Sequence, residues 1–349
     1  MIPGRSFSID AQVLNLIAEL DEFKGRWQAL GKLAPEKLSS LRRVATIESV
    51  GSSTRIEGAR LSDHQVEALL ANLEMHSFRS RDEEEVAGYA ETMNTVFESF
   101  DQIPITENHI RQLHGMLLKY STRDSHHRGQ YKKLPNNVEA FDANGGSLGV
   151  IFETASPFDT PRFMSELSTW TATALARREL HPILVIAVFA VHFLAIHPFQ
   201  DGNGRLSRIL TTLLLLKAGY SYVPYSSLER IVEENKDAYY RALRSAHKLI
   251  RTLDENLDDW VHFFLLTLKK QKDVLLRRVE QEQGLEKLPP VAEQLLVLVK
   301  ERGRLTISEV VKLLDVNRNT AKVYLRKLVN QGHLARHGTG KATWYTLGR

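Results

Sequence analysis

Apolar residues recur at intervals of three and four positions along most of the chain, with polar residues between them. This spacing predicts helices, because it places the apolar side chains on one helix face. The most apolar stretch, residues 183–196, is too short to span a bilayer and predicts a buried core helix. Neither a signal peptide nor a membrane association is predicted. Further helices are predicted over 9–30, 35–49, 63–75, 83–100, 106–120, 160–179, 205–217, 227–249 and 254–283.

Polar and glycine-rich segments predict where these helices are interrupted. Ser52 and Ser53 predict a break after the second helix, and Ser62 is predicted to cap the third with help from Glu67. Residues 121–156 are rich in glycine, proline and asparagine, which predicts a loop with a short hairpin that turns at 144–146. A loop of this length inside a compact domain is usually functional.

Composition narrows the class of protein. The chain has 349 residues, of which 43% are hydrophobic and 25% charged, so it has the material for two or three globular domains. It contains no cysteine, which excludes disulfides, thiolate metal sites and a cysteine nucleophile, and fits a cytoplasmic protein. The net charge is +4, yet residues 285–349 alone carry 12 Lys/Arg against 5 Asp/Glu. A basic terminal segment indicates nucleic-acid binding.

The segment that carries chemistry runs from His197 to Arg208. Gly202, Asn203 and Gly204 precede an apolar helix, so backbone N–H groups at the helix start would form an anion site suited to phosphates. Arg205 and Arg208 are three residues apart and could each grip a phosphate group. Together with Asp201 and His197, this site indicates phosphoryl or nucleotidyl transfer.

Two further residues of the segment complete that chemistry. Asp201 supplies a hard carboxylate that could hold Mg²⁺ between phosphates. His197 lies at the mouth of the loop, and its ordinary pKa suits a general base at neutral pH. Taken singly, a glycine loop is also typical of a plain helix connection, and a histidine after an apolar helix is also typical of a cap.

The whole segment resembles the motif H-x-F-x-[DE]-G-N-G-R-x-x-R of the Fic family at every specified position, which chance would produce with a frequency of about 10⁻⁸ in a chain this long. The resemblance implies a helical core in which His197 deprotonates a target hydroxyl and Asp201 binds Mg²⁺. It implies that the glycine loop and both arginines hold the phosphates of ATP. The implied reaction moves AMP from ATP to a Ser, Thr or Tyr hydroxyl of a target protein.

Other segments resemble the same family. Residues 129–132 are similar to its G-x-[YF]-R segment, with Lys132 where arginine is commoner. Residues 136–141 are placed like its flap, which is a hairpin that docks the target as an added strand. An ordinary surface loop is the alternative there. Residues 235–240 are similar to its N-x-x-x-Y-Y segment near adenine, although both tyrosines could simply be core aromatics. The resemblance thus implies a target-docking role for Asn137, Val138 and Glu139 and a nucleotide-binding role for Asn235 and Tyr239.

A short upstream segment resembles the inhibitory pattern [ST]-x-x-x-E-[GN] of the family. Ser53, Glu57 and Gly58 stand at its fixed places. The resemblance implies that Glu57 pairs with Arg208 where the γ-phosphate would lie, so that ATP enters with its phosphates misplaced for attack. The alternative is a helix that ends at a glycine cap.

The C-terminal segment predicts three helices, over 291–301, 308–314 and 318–330, followed by two strands within 332–346. This order resembles a winged helix-turn-helix. Polar and basic groups on the third helix would suit DNA, and contact with another protein or dimerisation is the alternative. They are Asn317, Arg318, Asn319, Thr320, Lys322, Arg326 and Lys327.

The predicted architecture is therefore mainly α: an N-terminal helical region with the inhibitory motif (1–85), a Fic-type core with a β-hairpin flap (86–283) and a winged helix-turn-helix (288–349). The predicted function is a self-inhibited protein adenylyltransferase that uses ATP and Mg²⁺ and acts on other proteins and on itself. Two alternatives remain at this stage. The same fold could transfer another phosphate-linked group or remove AMP, or the chain could be a DNA-binding regulator whose core senses nucleotide. A homodimer is left open.

Overall fold

The computed structural model describes residues 7–29, 35–72, 77–141, 147–286, 289–338, 340 and 343–348. The fold is mainly helical, as the sequence predicts. The chain divides into two compact units, 1–275 and 276–349. The first unit contains the predicted N-terminal region together with most of the predicted core.

The first unit consists of helices and one hairpin. Its last helix, α11, continues past residue 275. In chain order the helices are α1 (Ala11–Ala29), α2 (Pro35–Ile56), α3 (Asp63–Ala71), α4 (Arg81–Ser99), α5 (Glu107–Leu117), α6 (Thr160–Arg177), α7 (Pro182–Ile196), α8 (Asn203–Lys217), α9 (Leu228–Glu234), α10 (Lys236–His247) and α11 (Asp258–Glu286).

The centre of this unit is α7, which packs against α6 and α8. Every residue of 183–196 is buried, which confirms the predicted core helix. The helix starts with Pro182 at its first turn, where a missing N–H costs nothing. It ends at His197, which adopts a left-handed conformation. Within the described residues, no helix combines the length and the apolarity needed to cross a membrane.

Helix α2 differs from the prediction in a way that matters for the site. It continues without a break through Ser52 and Ser53 to Ile56. The serines and Thr54 are fully buried. Thr54 Oγ1 donates to the carbonyls of Val50 and Gly51 within the helix. Burial and these hydrogen bonds outweigh the low intrinsic helix propensity of serine and threonine, so the predicted break was wrong.

The start of α3 also differs in detail from the prediction. Ser62 caps α3 as predicted, but its partner in the capping box is Gln65 and not Glu67, which pairs with Arg43 instead. The box needs the third residue after the cap, and Gln65 occupies that place. The helix ends at Ala71, and the predicted end lies outside the described residues.

The predicted helix over 227–249 is two helices, α9 and α10. They meet at Asn235, whose φ of −119° and ψ of 32° are not helical. Its side-chain amide donates to the carbonyl of Ile231, so it satisfies an acceptor at the end of α9.

The predicted hairpin is present as two antiparallel strands, β1 (Val138–Phe141) and β2 (Ser147–Phe152). Val138 pairs with Phe152 at one end and Phe141 with Ser147 at the other. The predicted turn at 144–146 lies outside the described residues.

The second unit follows the order that the sequence predicts, with one more strand. A core of aliphatic side chains and Tyr345 joins its helices to a three-stranded antiparallel sheet in the order β3-β5-β4. The predicted linker over 284–290 overlaps the end of α11, which reaches Glu286. The elements are α12 (Pro290–Arg302), β3 (Leu305–Thr306), α13 (Ile307–Leu314), α14 (Arg318–Asn330), β4 (Leu334–His337) and β5 (Trp344–Leu347).

Candidate active site

His197 stands directly after the buried helix α7, with φ 51° and ψ 59°. Its backbone N–H donates to the Phe193 carbonyl, and its Nδ1 lies 3.2 Å from the Leu194 carbonyl oxygen. Because a carbonyl can only accept, Nδ1 carries the proton and Nε2 keeps a lone pair. Burial lowers the pKa of His197 to about 4, and the charge of Lys132 acts in the same direction. At neutral pH the ring is therefore neutral and can accept a proton at Nε2.

The loop between α7 and α8 is fixed by two side chains. The amide of Asn203 accepts from the Phe199 N–H at 2.9 Å and donates to the Phe199 carbonyl at 2.7 Å. His114 accepts from the Gly129 N–H at Nδ1, so its Nε2 carries the proton that it donates to the Asp201 carbonyl. The ring of His114 also stacks on Phe199, with centroids 3.8 Å apart. The side chain of Asn203 thus holds the loop, and its backbone N–H, in the first turn of α8, is the group that could meet a phosphate.

Asp201 belongs to a ring of four charged side chains. Its Oδ2 lies 2.9 Å from Arg81 Nη2, and its Oδ1 lies 3.1 Å from Arg205 Nη2. Glu85 joins the same two arginines from the other side, at 2.7 Å and 3.0 Å. Burial opposes ionisation of Asp201, but Arg205, the Gly202 N–H and Arg81 outweigh it and lower the pKa of that carboxyl. The carboxylate is therefore charged at neutral pH.

The two motif arginines have separate partners. Arg205 is almost completely buried, and its guanidinium forms ion pairs with Glu85 at 3.0 Å and with Asp201 at 3.1 Å. Arg208 lies on the other side, where Nε donates to Ser53 Oγ at 2.8 Å and Nη2 to the Ser53 carbonyl at 2.9 Å. The structure thus brings Arg208 to the predicted anion site, whereas Arg205 holds the acidic residue of the loop.

The side chain of Glu57 lies against the N-terminal end of α8. Its Oε1 accepts from Arg208 Nη2 at 2.8 Å, and it follows directly after the end of α2. A Cβ at Gly204 would lie 2.1 Å from that same oxygen, so the carboxylate fits there only because residue 204 has no side chain. Burial opposes the charge on Arg208, but Glu57 opposite it raises the pKa of the guanidinium. Gly58, which follows, takes a φ of 106° that lets the chain turn away.

The two predicted nucleotide-binding residues, Asn235 and Tyr239, have different surroundings. Asn235 Nδ2 donates to the Ile231 carbonyl, and its Oδ1 accepts from Lys270 at 2.8 Å. Tyr239 is buried, and the charges of Arg208 and Glu57 act on its phenol, whose pKa burial raises. Three aromatic rings lie within about 6 Å of Tyr239, centroid to centroid: Tyr240, Trp260 and Phe263.

The predicted target-docking residues lie at the first strand of the hairpin. Asn137 is exposed and precedes β1, and its Oδ1 accepts from the Thr154 N–H that follows β2. Val138 and Glu139 are the first two residues of β1, and Glu139 pairs with Val150.

A magnesium ion would have one protein carboxylate at this site. Within the described part of the chain, no three His, Asp or Glu side chains are grouped as metal ligands. Asp201 is ionised, one-third exposed and adjacent to the anion site at α8. One carboxylate completed by substrate phosphates and water is a common way to bind Mg²⁺, so the donor set fits this ion.

Sequence reasoning missed three residues of the site: Arg81, Glu85 and His114. Arg81 and Glu85 stand four apart on α4, a spacing that the sequence shows but that surface pairs share. Nothing in the sequence links this pair to Asp201, which lies 120 positions further on. His114 has no local signal either, because its role depends on the fold.

Comparisons with known proteins find similarity to Fic proteins in both sequence and fold. Residues 104–215 match the Fic/DOC family, and residues 268–343 match a bacterial protein family of unknown function, DUF977. The chain therefore contains a segment that is similar to the Fic/DOC family. It is 25% identical over 297 residues to "Protein adenylyltransferase Fic" of Drosophila virilis, covering 82% of this chain and 57% of that protein.

Solved structures agree on the fold. A Fic-domain-containing signalling protein from Bacteroides thetaiotaomicron superposes with a TM-score of 0.61 at 25% identity, covering 75% of this chain and 97% of the other. A Fic family protein from Desulfovibrio desulfuricans superposes with the same score at 21% identity over 99% and 98% of the two chains. The chain spans about half the length of the curated relatives that it matches.

Proposed function

We propose that the chain is a protein adenylyltransferase that moves AMP from ATP to a Ser, Thr or Tyr hydroxyl and is inhibited by its own Glu57. One observation carries the proposal. The carboxylate of Glu57 lies on Arg208 and over Gly204, in the anion site beside a neutral histidine base. The match of residues 104–215 to the Fic/DOC family and the similarity to relatives named as adenylyltransferases support it.

In the proposed reaction, His197 Nε2 takes the proton of the target hydroxyl while the hydroxyl oxygen attacks the α-phosphorus of ATP. A new P–O bond forms, the bond to pyrophosphate breaks, and pyrophosphate leaves. Backbone N–H groups at the start of α8 and the guanidinium groups of Arg205 and Arg208 would hold the phosphates. Mg²⁺ held by Asp201 would neutralise phosphate charge. Asn235 and Tyr239 would border the nucleotide, and Asn137, Val138 and Glu139 would dock the target beside β1.

Inhibition follows from the same geometry. The outer phosphates of ATP and the carboxylate of Glu57 compete for Arg208 and for the space above Gly204. Two anions cannot share that space without strong repulsion, so ATP in the inhibited protein takes a pose in which the α-phosphorus is misplaced.

Labelled ATP tests the reaction type. The Glu57→Gly variant is incubated with ATP labelled at the α- or the γ-phosphate, with Mg²⁺ and a mixture of proteins. Label retained on protein from the α position alone supports AMP transfer. Label from the γ position, or transfer only from another nucleoside triphosphate in a parallel panel, would identify a different phosphate-linked group. Release of AMP from a previously labelled protein, without new labelling, would identify the reverse activity.

We further propose that the second unit is a winged helix-turn-helix that binds DNA. The observation that favours it is the surface of α14, where four cations are exposed along one helix. Such a helix could place side chains against phosphates and bases in the major groove. The cations are Arg318, Lys322, Arg326 and Lys327.

Fluorescence anisotropy with duplex DNA tests this second activity. The affinity of the whole chain should fall as salt rises, and Lys322→Glu should weaken it and make the salt slope shallower. Binding that depends on nucleotide but tolerates His197→Ala would favour a regulator with a sensing core. No affinity for DNA, together with a dimer in sedimentation, would assign the unit to protein contact.

A further inference from the structure

A buried lysine lies between the hairpin and the catalytic histidine. Lys132 is 4% exposed, and its Nζ makes three hydrogen bonds. The acceptors are Asn136 Oδ1 at 2.7 Å, Thr154 Oγ1 at 2.9 Å and the Ile196 carbonyl at 3.0 Å. An ammonium has three N–H donors, so each of them has an acceptor here. None of these acceptors is a carboxylate, and burial lowers the pKa of Lys132 to about 7, so the amine is held by these hydrogen bonds and not by a partner charge.

The acceptors belong to two different parts of the fold. Asn136 precedes β1 and Thr154 follows β2, so together they form the base of the hairpin. Ile196 is the last residue of α7, and its carbonyl is one of the acceptors that a helix end leaves unsatisfied. A cation at this end also interacts favourably with the helix dipole. Lys132 therefore joins the base of the hairpin to the residue before His197.

Asn136 forms a second connection between the base of the hairpin and the chain after α7. Its Nδ2 donates to the carbonyls of His197 at 3.2 Å and Phe199 at 2.6 Å, while Thr154 Oγ1 donates to its Oδ1 at 3.0 Å. The backbone N–H of Lys132 donates to the Pro198 carbonyl at 2.8 Å. The carbonyls of residues 196, 197, 198 and 199 are thus all bound by this one cluster.

We propose that Lys132 is a positioning residue that fixes the β1–β2 hairpin at a set distance and angle from His197, through Asn136 and Thr154. The inference rests on the proposed function for the roles of the hairpin and of His197. If a target segment docks along the hairpin, its hydroxyl must meet a histidine on another element, and a shift of about 1 Å can cost on the order of a hundredfold in rate. The hydrogen bonds of Lys132, Asn136 and Thr154 prevent such a shift of the hairpin relative to His197. They also hold the left-handed backbone of His197 in place.

Hydrogen–deuterium exchange of the whole chain, without nucleotide, tests the connection directly. Lys132→Met keeps the unbranched chain up to the ε position and removes Nζ with all three donors, and Lys133→Met is the matched control because Lys133 is exposed. We expect exchange in peptides covering 147–154 and 196–202 to rise at least tenfold in Lys132→Met. It should stay unchanged in Lys133→Met and be largely restored in Lys132→Arg, which keeps a charged donor group.

Thr154→Val is a second test, needed in case Lys132→Met does not fold. It removes one acceptor of Lys132 while keeping the shape of the side chain. It should raise exchange in the same two segments by a smaller factor. Unchanged exchange in either Lys132→Met or Thr154→Val, with the rest of the chain protected, overturns the proposal.

Activity adds a readout that separates this inference from the proposed function. In the Glu57→Gly background, Lys132→Met should lower AMP transfer to protein at least tenfold and leave the Kd for ATP within twofold, and Lys132→Arg should recover most of the transfer. If the Glu57→Gly parent itself transfers no AMP, the proposed function fails, and exchange still decides whether Lys132 fixes the hairpin. Transfer by Lys132→Met equal to that of its parent contradicts the positioning role.

Discussion

The contact between Glu57 and Arg208 predicts that a single substitution changes affinity for ATP and leaves affinity for AMP unchanged. Glu57→Ala removes the carboxylate but keeps a Cβ, so the turn after α2 retains its stiffness. The outer phosphates of ATP then no longer compete with an anion for Arg208. AMP has no outer phosphates and gains nothing from the change.

The expected gain in affinity for ATP depends on how exposed the Glu57–Arg208 ion pair is. A hydrogen bond between charged groups contributes about 1.5–3 kcal/mol when it is buried, whereas an exposed ion pair contributes about 0.2–1 kcal/mol. The side chain of Arg208 is 7% exposed and that of Glu57 34%. An intermediate value of about 1.5 kcal/mol is therefore appropriate, which corresponds to roughly tenfold tighter binding of ATP.

Titration calorimetry with a non-hydrolysable ATP analogue and with AMP measures both affinities. Glu67→Gln is the matched control, because Glu67 forms an ion pair with Arg43 on the exposed surface. We expect the Kd for the ATP analogue to fall about tenfold in Glu57→Ala only, and the Kd for AMP to stay within twofold in all proteins. A change below threefold for the ATP analogue, or an equal gain for AMP, would refute competition at Arg208.

Three further predictions concern the same site. His197→Ala should abolish AMP transfer in the Glu57→Gly background, while calorimetry shows an ATP affinity within about threefold of that of the Glu57→Gly parent. A general base acts on the hydroxyl and not on the nucleotide, so normal transfer would refute the assignment. Glu57→Gly added to Arg208→Ala should change ATP affinity little beyond Arg208→Ala alone, and additive effects in the four-protein cycle would exclude a direct pair. Burial lowers the pKa of His114 to about 4, below its unfolded value near 6.5, so the stability that it contributes is present above pH 6.5 and is lost as pH falls toward 4. Burial lowers the pKa of His197 and His247 in the same way, so the loss of stability in urea between pH 7 and pH 5 should be about 2 kcal/mol smaller in His114→Gln than in the wild type, and an equal loss in both proteins would contradict the prediction.

The sequence predicts best where the signal is local. The bounds of α14 agree with the prediction at both ends, because Asn317 caps its first turn and the apolar spacing runs unbroken behind it. The loop from His197 to Gly204 is contiguous in the chain, so its residues had to lie together. The pairing of Glu57 with Arg208, 151 positions apart, was predicted only through the family resemblance and is present in the structure.

What the sequence missed depends on burial and on distant contacts. Ser52 and Ser53 were predicted to break α2, yet Arg55 donates to the first and Arg208 to the second, so their hydroxyls are satisfied inside a helix. The ion pair of Arg205 with Glu85, which belongs to α4, was not predicted. Neither interaction has a periodicity or spacing that could reveal it, because the partners meet only once the helices are packed.

The most direct test of the account is AMP transfer from α-³²P-ATP, measured in four proteins: the wild type, Glu57→Gly, His197→Ala and the double variant. We predict feeble labelling by the wild type, at least tenfold more by Glu57→Gly, and none by either protein that lacks His197. Melting temperatures of the same preparations separate chemistry from folding, because Glu57→Gly could also weaken the end of α2. Unchanged labelling by Glu57→Gly with a lowered melting temperature, or labelling that persists without His197, would contradict a transferase held inactive by its own glutamate.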